Sequence, residues 1–188
     1  MSISSLTRWS GMVAVLGATL FIIASLVALF VVLFFFDPTA QPSNLAITAF
    51  YLRSFLVVVS QALLVLGLVG LYVRRSAAMG VIGLVSFLVT FFGLVASLAS
   101  IPLGDLAEAF GWALFGVVTL QAGGYPRPAA ILLIIGALAT GLFGSSLGSL
   151  GEVGAYLGVI ANIVLNVAIA WMGYSLFTQR EDSIAEHP

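Results

Sequence analysis

The sequence predicts an all-α integral membrane protein: a bundle of six transmembrane helices with both termini in the cytoplasm. Of its 188 residues, 62% are hydrophobic and 7% are charged, whereas a soluble domain carries about 25% charged residues. Six mainly apolar stretches approach or exceed the length of about 20 residues that a spanning helix needs. Five of the six arginines lie at every second junction between these stretches. A chain with this composition and pattern requires lipid as its solvent.

Charged residues and prolines mark the ends of the first three helices. The first helix stops at Asp37 and Pro38, the second stops before Arg74, and the third ends before Pro102. Proline restricts the residue before it to extended backbone, so helices usually end there. We predict these three helices over residues 11–36, 46–73 and 78–101.

The last three helices follow the same pattern, although the fourth is less apolar than the others. Asp105 and Glu108 open the fourth helix, and its apolar part covers only residues 109–120. The fifth begins at Pro128, in a first turn where the missing N–H of proline costs nothing. The sixth opens at Glu152. We predict these helices over residues 105–122, 128–147 and 152–177, followed by a short polar tail over 178–188.

The positions of the arginines predict the orientation, because short cytoplasmic loops are enriched in Arg and Lys. One set of junctions carries Arg8, Arg74, Arg75, Arg127 and Arg180, whereas the other set carries acidic residues and only Arg53. If the fourth segment were re-entrant, leaving five spans, Arg127 and Arg180 would lie outside and Glu152 inside. Six spans preserve the charge bias, and we therefore predict that both termini are cytoplasmic.

Several kinds of chemistry are excluded by composition. The chain has no cysteine and no lysine, and its single histidine is His187. Disulfides, iron–sulfur clusters, thiolate metal sites and a retinal Schiff base are therefore excluded for this chain, as is a haem held by histidine pairs. No basic patch indicates a nucleic-acid partner, and no serine has a neighbouring histidine or lysine as a base. We predict a non-enzymatic protein without cofactor or metal.

Three amides form a candidate polar zone within the membrane. Gln61 lies near the middle of the second segment, and Asn162 and Asn166 lie near the middle of the sixth. One interpretation is that the amides line a site for a polar or quinone-like ligand. The other, which we favour at this stage, is that they hydrogen-bond between helices, at about 0.6 kcal/mol per bond.

A second candidate is an outer charge cluster formed by Arg53, Asp105 and Glu108. Arg53 lies about two turns inside the second segment, where an arginine needs an acidic partner or a route to the interface. Asp105 and Glu108 are three residues apart, so both can face one side of a helix. An interfacial salt bridge, lipid head-group binding and docking to a partner are all compatible with this cluster. Catalysis or ion coordination is a weaker alternative, and Glu108 with Arg53 is the pair that we would expect to act.

Glycine is abundant in the connection between the fifth and sixth helices. Four of these glycines form two small-xxx-small motifs, which allow the backbones of membrane helices to approach closely. A phosphate-binding loop is not supported, because no Lys-Ser/Thr follows the glycines. We therefore predict helix packing at Gly144, Gly148, Gly154 and Gly158.

Three stretches carry a resemblance to a known group of proteins. They are Phe110-Gly-Trp-Ala-Leu-Phe-Gly, Gly124-Tyr-Pro-Arg-Pro-Ala-Ala and the opening Arg8-Trp-Ser-Gly-Met-Val-Ala-Val-Leu-Gly. With these, the chain resembles small multi-pass bacterial membrane proteins of unknown function. The resemblance implies a multi-pass architecture only, and it supplies no activity. We predict that the protein lies in a prokaryotic cytoplasmic (inner) membrane.

Two functional hypotheses remain. The absence of cofactor ligands, mid-membrane charges and a soluble domain favours an accessory or structural subunit of a larger membrane complex. Its partners would be the lipid bilayer and other membrane subunits or further copies of itself. The alternative is a transporter, channel or binder of a small hydrophobic molecule such as a lipid or a quinone. A cavity beside the amides would favour the alternative, and a filled core would favour the subunit.

Overall fold

The computed structural model describes residues 3–35, 43–101, 103–144 and 151–178, and all regular secondary structure in these ranges is helical. The fifth helix continues into a short π-helical turn. In chain order the elements are α1 (Ile3–Phe35), α2 (Asn44–Val73), α3 (Ser76–Leu98), α4 (Gly104–Ala122), α5 (Arg127–Ala139) with its π-helical turn (Thr140–Gly144), and α6 (Gly151–Thr178).

The predicted all-α class is confirmed, and most predicted helix ends lie within three residues of the observed ones. Two elements differ. Helix α1 begins at Ile3, well before the predicted residue 11. The fifth helix leaves α-helical geometry at Thr140, whereas the sequence predicts one α-helix over 128–147. Neither difference changes the order of the elements.

Five helical segments are long and apolar enough to cross a membrane, judged by length and composition. They share a high mean hydropathy and leave most of their surface outside the protein core. They are Arg8–Val31, Asn44–Val73, Ser76–Leu98, Arg127–Gly144 and Val153–Thr178. Helix α4 is not one of the five. Many large apolar side chains on these segments are exposed, as a lipid-facing surface requires,. The prediction of a membrane protein is confirmed by the length and composition of these helices.

The helices form a closed ring in which neighbours run antiparallel. Each helix packs against the next in the chain, and α6 returns to pack against α1. Arg8, Arg74, Arg75 and Arg127 therefore share one end of the bundle, which we call the arginine end. The start of α2, the α3–α4 connection and the π-helical turn share the opposite end, which we call the acid end because Asp105 lies there.

Close contacts between backbones set how neighbouring helices pair. A Cβ added to Gly11 of α1 would lie 2.7 Å from the carbonyl oxygen of Gly173 in α6. In the same way, Gly93 of α3 faces the backbone of Glu108, and Gly111 of α4 faces the backbone of Thr90. Any side chain at these positions would separate the helices, so the register of each pair depends on glycine.

Two of the four predicted packing glycines, Gly144 and Gly158, lie at such a contact. A Cβ added to Gly158 of α6 would lie 3.3 Å from the Cα of Gly144 in the π-helical turn. Gly154 is buried in α6. Gly148 lies outside the described residues. More crowded contacts, at Gly93, Gly111 and Gly136, are elsewhere in the ring.

Large apolar side chains fill the half of the bundle toward the arginine end. Leu68, Trp112, Phe115, Leu133 and Met172 come from four different helices and are almost completely buried. Aromatic pairs reinforce this packing: the rings of Tyr72 in α2 and Phe87 in α3 stack with centroids 4.7 Å apart. The core of the bundle is therefore filled toward this end.

A hydrogen bond joins the α4–α5 connection to the last turn of α2 at the arginine end. The Tyr125 hydroxyl, between α4 and α5, donates to the carbonyl oxygen of Leu71 in α2 over 2.8 Å. The backbone of Gly124 has φ +89°, and the Arg75 guanidinium fills the space that a Cβ would need there. Burial raises the pKa of the Tyr125 phenol, and the nearby charges of Arg75 and Arg74 oppose that rise.

We predict that Tyr125→Phe lowers the free energy of unfolding in detergent by about 1 kcal/mol, the net value of one such hydrogen bond. Because the pKa is raised in the folded state, the stabilisation is complete below the ordinary phenol pKa of 10.0 and is lost as the pH rises above it,. Thermal unfolding at pH 7 and above pH 10 measures both effects. Tyr174→Phe, on an exposed tyrosine of α6, is the control. An equal effect of the two substitutions would contradict the prediction.

Candidate functional site

A polar cavity of about 230 Å³ lies inside the bundle toward the acid end. It is lined from α1, α2, α3, α4, the π-helical turn and α6. Its wall contains Phe21, Arg53, Val57, Gln61, Ser97, Asp105, Glu108, Ala109, Thr140, Gly144, Asn162 and Leu165. The cavity thus brings together two of the three candidate amides and all three residues of the candidate charge cluster. The sequence predicts the amides and the charge cluster as two separate sites, whereas the structure places them around one cavity.

A short chain of hydrogen bonds crosses three helices on one wall of this cavity. The amide Nε2 of Gln61 in α2 donates to Ser97 Oγ in α3 over 3.1 Å. The Ser97 hydroxyl in turn donates to Asp105 Oδ1 in α4. Ser97 is a site residue that sequence reasoning missed. Its alignment with Asp105 depends on how α3 and α4 pair, and no local signal marks it.

Glu108 lies one turn after Asp105 on the same face of α4. Its carboxyl group interacts with the side chains of Ser97 and Trp112 and lies within electrostatic range of Asp105. The Trp112 indole nitrogen is buried, yet no described acceptor meets the geometry of a full hydrogen bond to it. The spacing of three residues therefore does place both acids on one wall.

Arg53 lies at the edge of the cavity, and its side chain is exposed. The expected acidic partners, Asp105 and Glu108, line the same cavity. The bond that the structure gives to the Asp105 carboxylate comes from Ser97, in the network just described. The arginine and the two acids thus line one space.

The two asparagines use their amide groups within their own helix. Asn162 Nδ2 donates to the carbonyl oxygen of Gly158 over 3.0 Å, and Asn166 Nδ2 donates to that of Asn162 over 2.9 Å. Among the described bonds of the three amides, the one made by Gln61 joins two helices. Asn162 lines the cavity, whereas Asn166 is buried away from it and its Oδ1 has no described partner.

Thr140 opens the π-helical turn and contributes a hydroxyl to the cavity wall. In the α-helices, Thr19 and Thr90 donate to the carbonyl oxygen four residues earlier. The Oγ1 of Thr140 is buried and has no described partner. π-helical turns occur frequently at functional sites. Sequence reasoning missed this residue, because nothing in residues 128–147 distinguishes a π-helical turn from a continuing α-helix.

An apolar groove of about 330 Å³ adjoins the polar cavity. The two spaces share Arg53, Gly144 and Asn162 in their walls. Small and apolar side chains from α1, α2, the π-helical turn and α6 complete the groove: Ala28, Val31, Ala49, Phe50, Phe143, Ala155, Gly158 and Val159. A polar compartment and an apolar one therefore meet at Arg53.

This arrangement is suited to binding a molecule that has both a polar and an apolar part. Ligand sites in proteins are typically concave and mostly apolar, with a few polar groups that fix orientation. Among the described residues, no group of three or more His, Cys, Asp or Glu could hold a metal ion. The chemistry that the site offers is hydrogen bonding, charge and apolar contact.

Comparison of the chain with family models, with curated proteins and with solved structures found no match.

We predict opposite effects for two amide substitutions. Gln61→Leu removes a hydrogen bond between helices, worth about 0.6 kcal/mol on average in a membrane, and lowers the unfolding temperature in detergent. Asn166→Leu removes a buried carbonyl oxygen without a described partner, and such an atom costs about 1–3 kcal/mol. The Asn166 variant should therefore be at least as stable as the original protein. Greater destabilisation by Asn166→Leu than by Gln61→Leu would contradict this assignment.

Proposed function

We propose that the chain crosses a prokaryotic inner membrane six times, with both termini in the cytoplasm. Helix α4 has 19 residues, which corresponds to about 28 Å and approaches the hydrocarbon thickness of about 30 Å. It packs along α3 on one side and α5 on the other, antiparallel to both. The arginines collected at one end support a cytoplasmic position for that end.

The absence of cysteine from the sequence makes this topology directly testable. Ile101 lies in the connection just before α4 and Gln121 lies in the last turn of α4, and both are exposed. With six spans, a membrane-impermeant maleimide added to intact cells labels Ile101→Cys but not Gln121→Cys. Permeabilised cells, in which both variants should react, provide the control. Labelling of both variants in intact cells would show that α4 is re-entrant.

We propose that the protein is a non-enzymatic binder of a small amphipathic molecule, of the class that includes lipids and quinones. The observation that carries this proposal is the polar cavity joined to an apolar groove at Arg53. The packed core toward the arginine end supports access from the acid end, which is the outer side in the proposed topology. A receptor or carrier fits such one-sided access better than an open channel does.

Native mass spectrometry of the protein extracted in mild detergent tests this function. We expect a co-purifying amphiphile at fixed stoichiometry. Gly144→Leu, at the junction of the two spaces, should reduce its retention by about tenfold, which corresponds to a loss of about 1.4 kcal/mol. A Cβ at Gly144 meets only ordinary contacts at 3.4 Å and beyond, so the fold should tolerate the variant.

The matched control is Leu138→Phe, which enlarges an exposed side chain of α5 outside both spaces. It should retain the amphiphile. A protein that emerges without any bound amphiphile, or a Gly144→Leu variant that retains it fully, would contradict the proposed site.

An accessory subunit of a larger membrane complex is the second candidate. The observation that favours it is a dense group of exposed large side chains at the start of α2, among them Phe50, Tyr51 and Phe55. We place it second because the space beside Gln61 and Asn162 is a cavity and not a filled core. Co-purification with other subunits at fixed stoichiometry, and with the cavity empty, would reverse this order.

A further inference from the structure

Hydrogen-bond directions define what the polar cavity can accept. Gln61 uses one N–H of its amide group on Ser97, and Asn162 uses one on its own helix. Ser97 in turn donates its hydroxyl hydrogen to Asp105. The cavity wall also carries the carboxyl groups of Asp105 and Glu108, which accept hydrogen bonds, and Arg53, which donates them,. A ligand that fits must supply N–H donors to the acids and an acceptor to Arg53.

One buried polar atom on the cavity wall has no described partner. It is the Oγ1 of Thr140, which lines the same cavity as Gln61, Asp105 and Glu108. Buried polar atoms in proteins are nearly always hydrogen-bonded. The Thr140 hydroxyl is therefore positioned to bind a group that enters the cavity.

The charges along the connected spaces have a fixed order. Asp105 and Glu108 line the polar cavity, Arg53 lines both spaces where they meet, and the apolar groove follows. A complementary ligand carries a cation, then an anion, then an apolar part. Guanidinium groups match the geometry of phosphate oxygens, and a primary ammonium supplies three N–H donors for carboxyl and carbonyl oxygens.

We infer that the ligand is a phospholipid whose headgroup carries a primary ammonium beyond its phosphate. The ammonium binds at Glu108, Asp105 and Gln61, the phosphate binds at Arg53, and the acyl part occupies the groove beside Phe50 and Phe143. This inference rests on the proposed binding function. A quinone fits less well, because it carries no cation to complement the two carboxyl groups of the cavity wall.

The test uses the delipidated protein in mild detergent and three lipids with identical acyl chains. Phosphatidylethanolamine has the primary ammonium, phosphatidylcholine has a cation without N–H donors, and phosphatidylglycerol has a phosphate without a cation. Native mass spectrometry at equal lipid concentrations measures the retained fraction. We expect retention of phosphatidylethanolamine to exceed that of each other lipid by about tenfold.

Two substitutions separate the ammonium contact from the phosphate contact. Glu108→Gln should remove the preference for phosphatidylethanolamine and leave retention of phosphatidylglycerol unchanged or higher. Arg53→Gln should weaken all three phospholipids alike. Arg127→Gln, an exposed arginine at the opposite end, is the matched control and should change nothing. If Glu108→Gln fails to give a monodisperse protein, Asp105→Asn on the exposed acid tests the same contact.

The outcomes distinguish this inference from the function on which it rests. Retention of phospholipids without headgroup preference, or a preference that survives both acid substitutions, would overturn the aminophospholipid assignment and leave the binding function in place. Preference for phosphatidylcholine would show that charge alone is recognised, which also overturns it. Failure to retain any lipid or other amphiphile would overturn both.

Discussion

Helix packing in lipid is the constraint on which the rest of this structure depends. Lipid tails are as apolar as the side chains that face them, so helices associate through close van der Waals contact and hydrogen bonds. At the α3–α4 contact, Gly93 and Gly111 carry no side chain, so the two backbones come into direct contact. This contact sets the register of the two helices. That register places Ser97 against Asp105 and brings Glu108 to the same wall. The candidate site is thus a consequence of how two helices pair.

The same bundle differs between its two ends in a way that makes a one-sided site possible. Toward the arginine end, large side chains such as Trp112, Phe115 and Met172 interdigitate and fill the space between the helices. Toward the acid end, most of the side chains around the cavity are polar or charged, and the helix after Ala139 continues as a π-helical turn. These elements enclose a cavity lined by groups that need polar partners. A buried polar network that is only partly satisfied is costly unless a ligand completes it.

Sequence reasoning predicted the elements of this fold well and the geometry of the site only in part. Hydrophobic length and the terminal charges and prolines predict all six helices, because lipid imposes a minimum apolar length on a spanning helix. The same reasoning singled out Gln61, Arg53, Asp105 and Glu108 from their cost in an apolar medium. It placed them in two sites, and it missed Ser97 and Thr140. A serine or threonine in a membrane helix is ordinarily satisfied by its own backbone, so neither residue differs locally from Ser60 or Thr90.

The sequence by itself determined the class of the protein, the order and approximate ends of its helices, and the separation of arginines from acids along the chain. These properties depend on how each single segment partitions between lipid and water. That partition is set by the residues of the segment itself. The tertiary structure alone decided that the amides and the charged residues share one cavity, and that an apolar groove joins it at Arg53. It also decided which way the amides of Gln61 and Asn162 donate. Those features depend on the rotation and register of six helices relative to one another, and single-segment hydropathy carries no information about either.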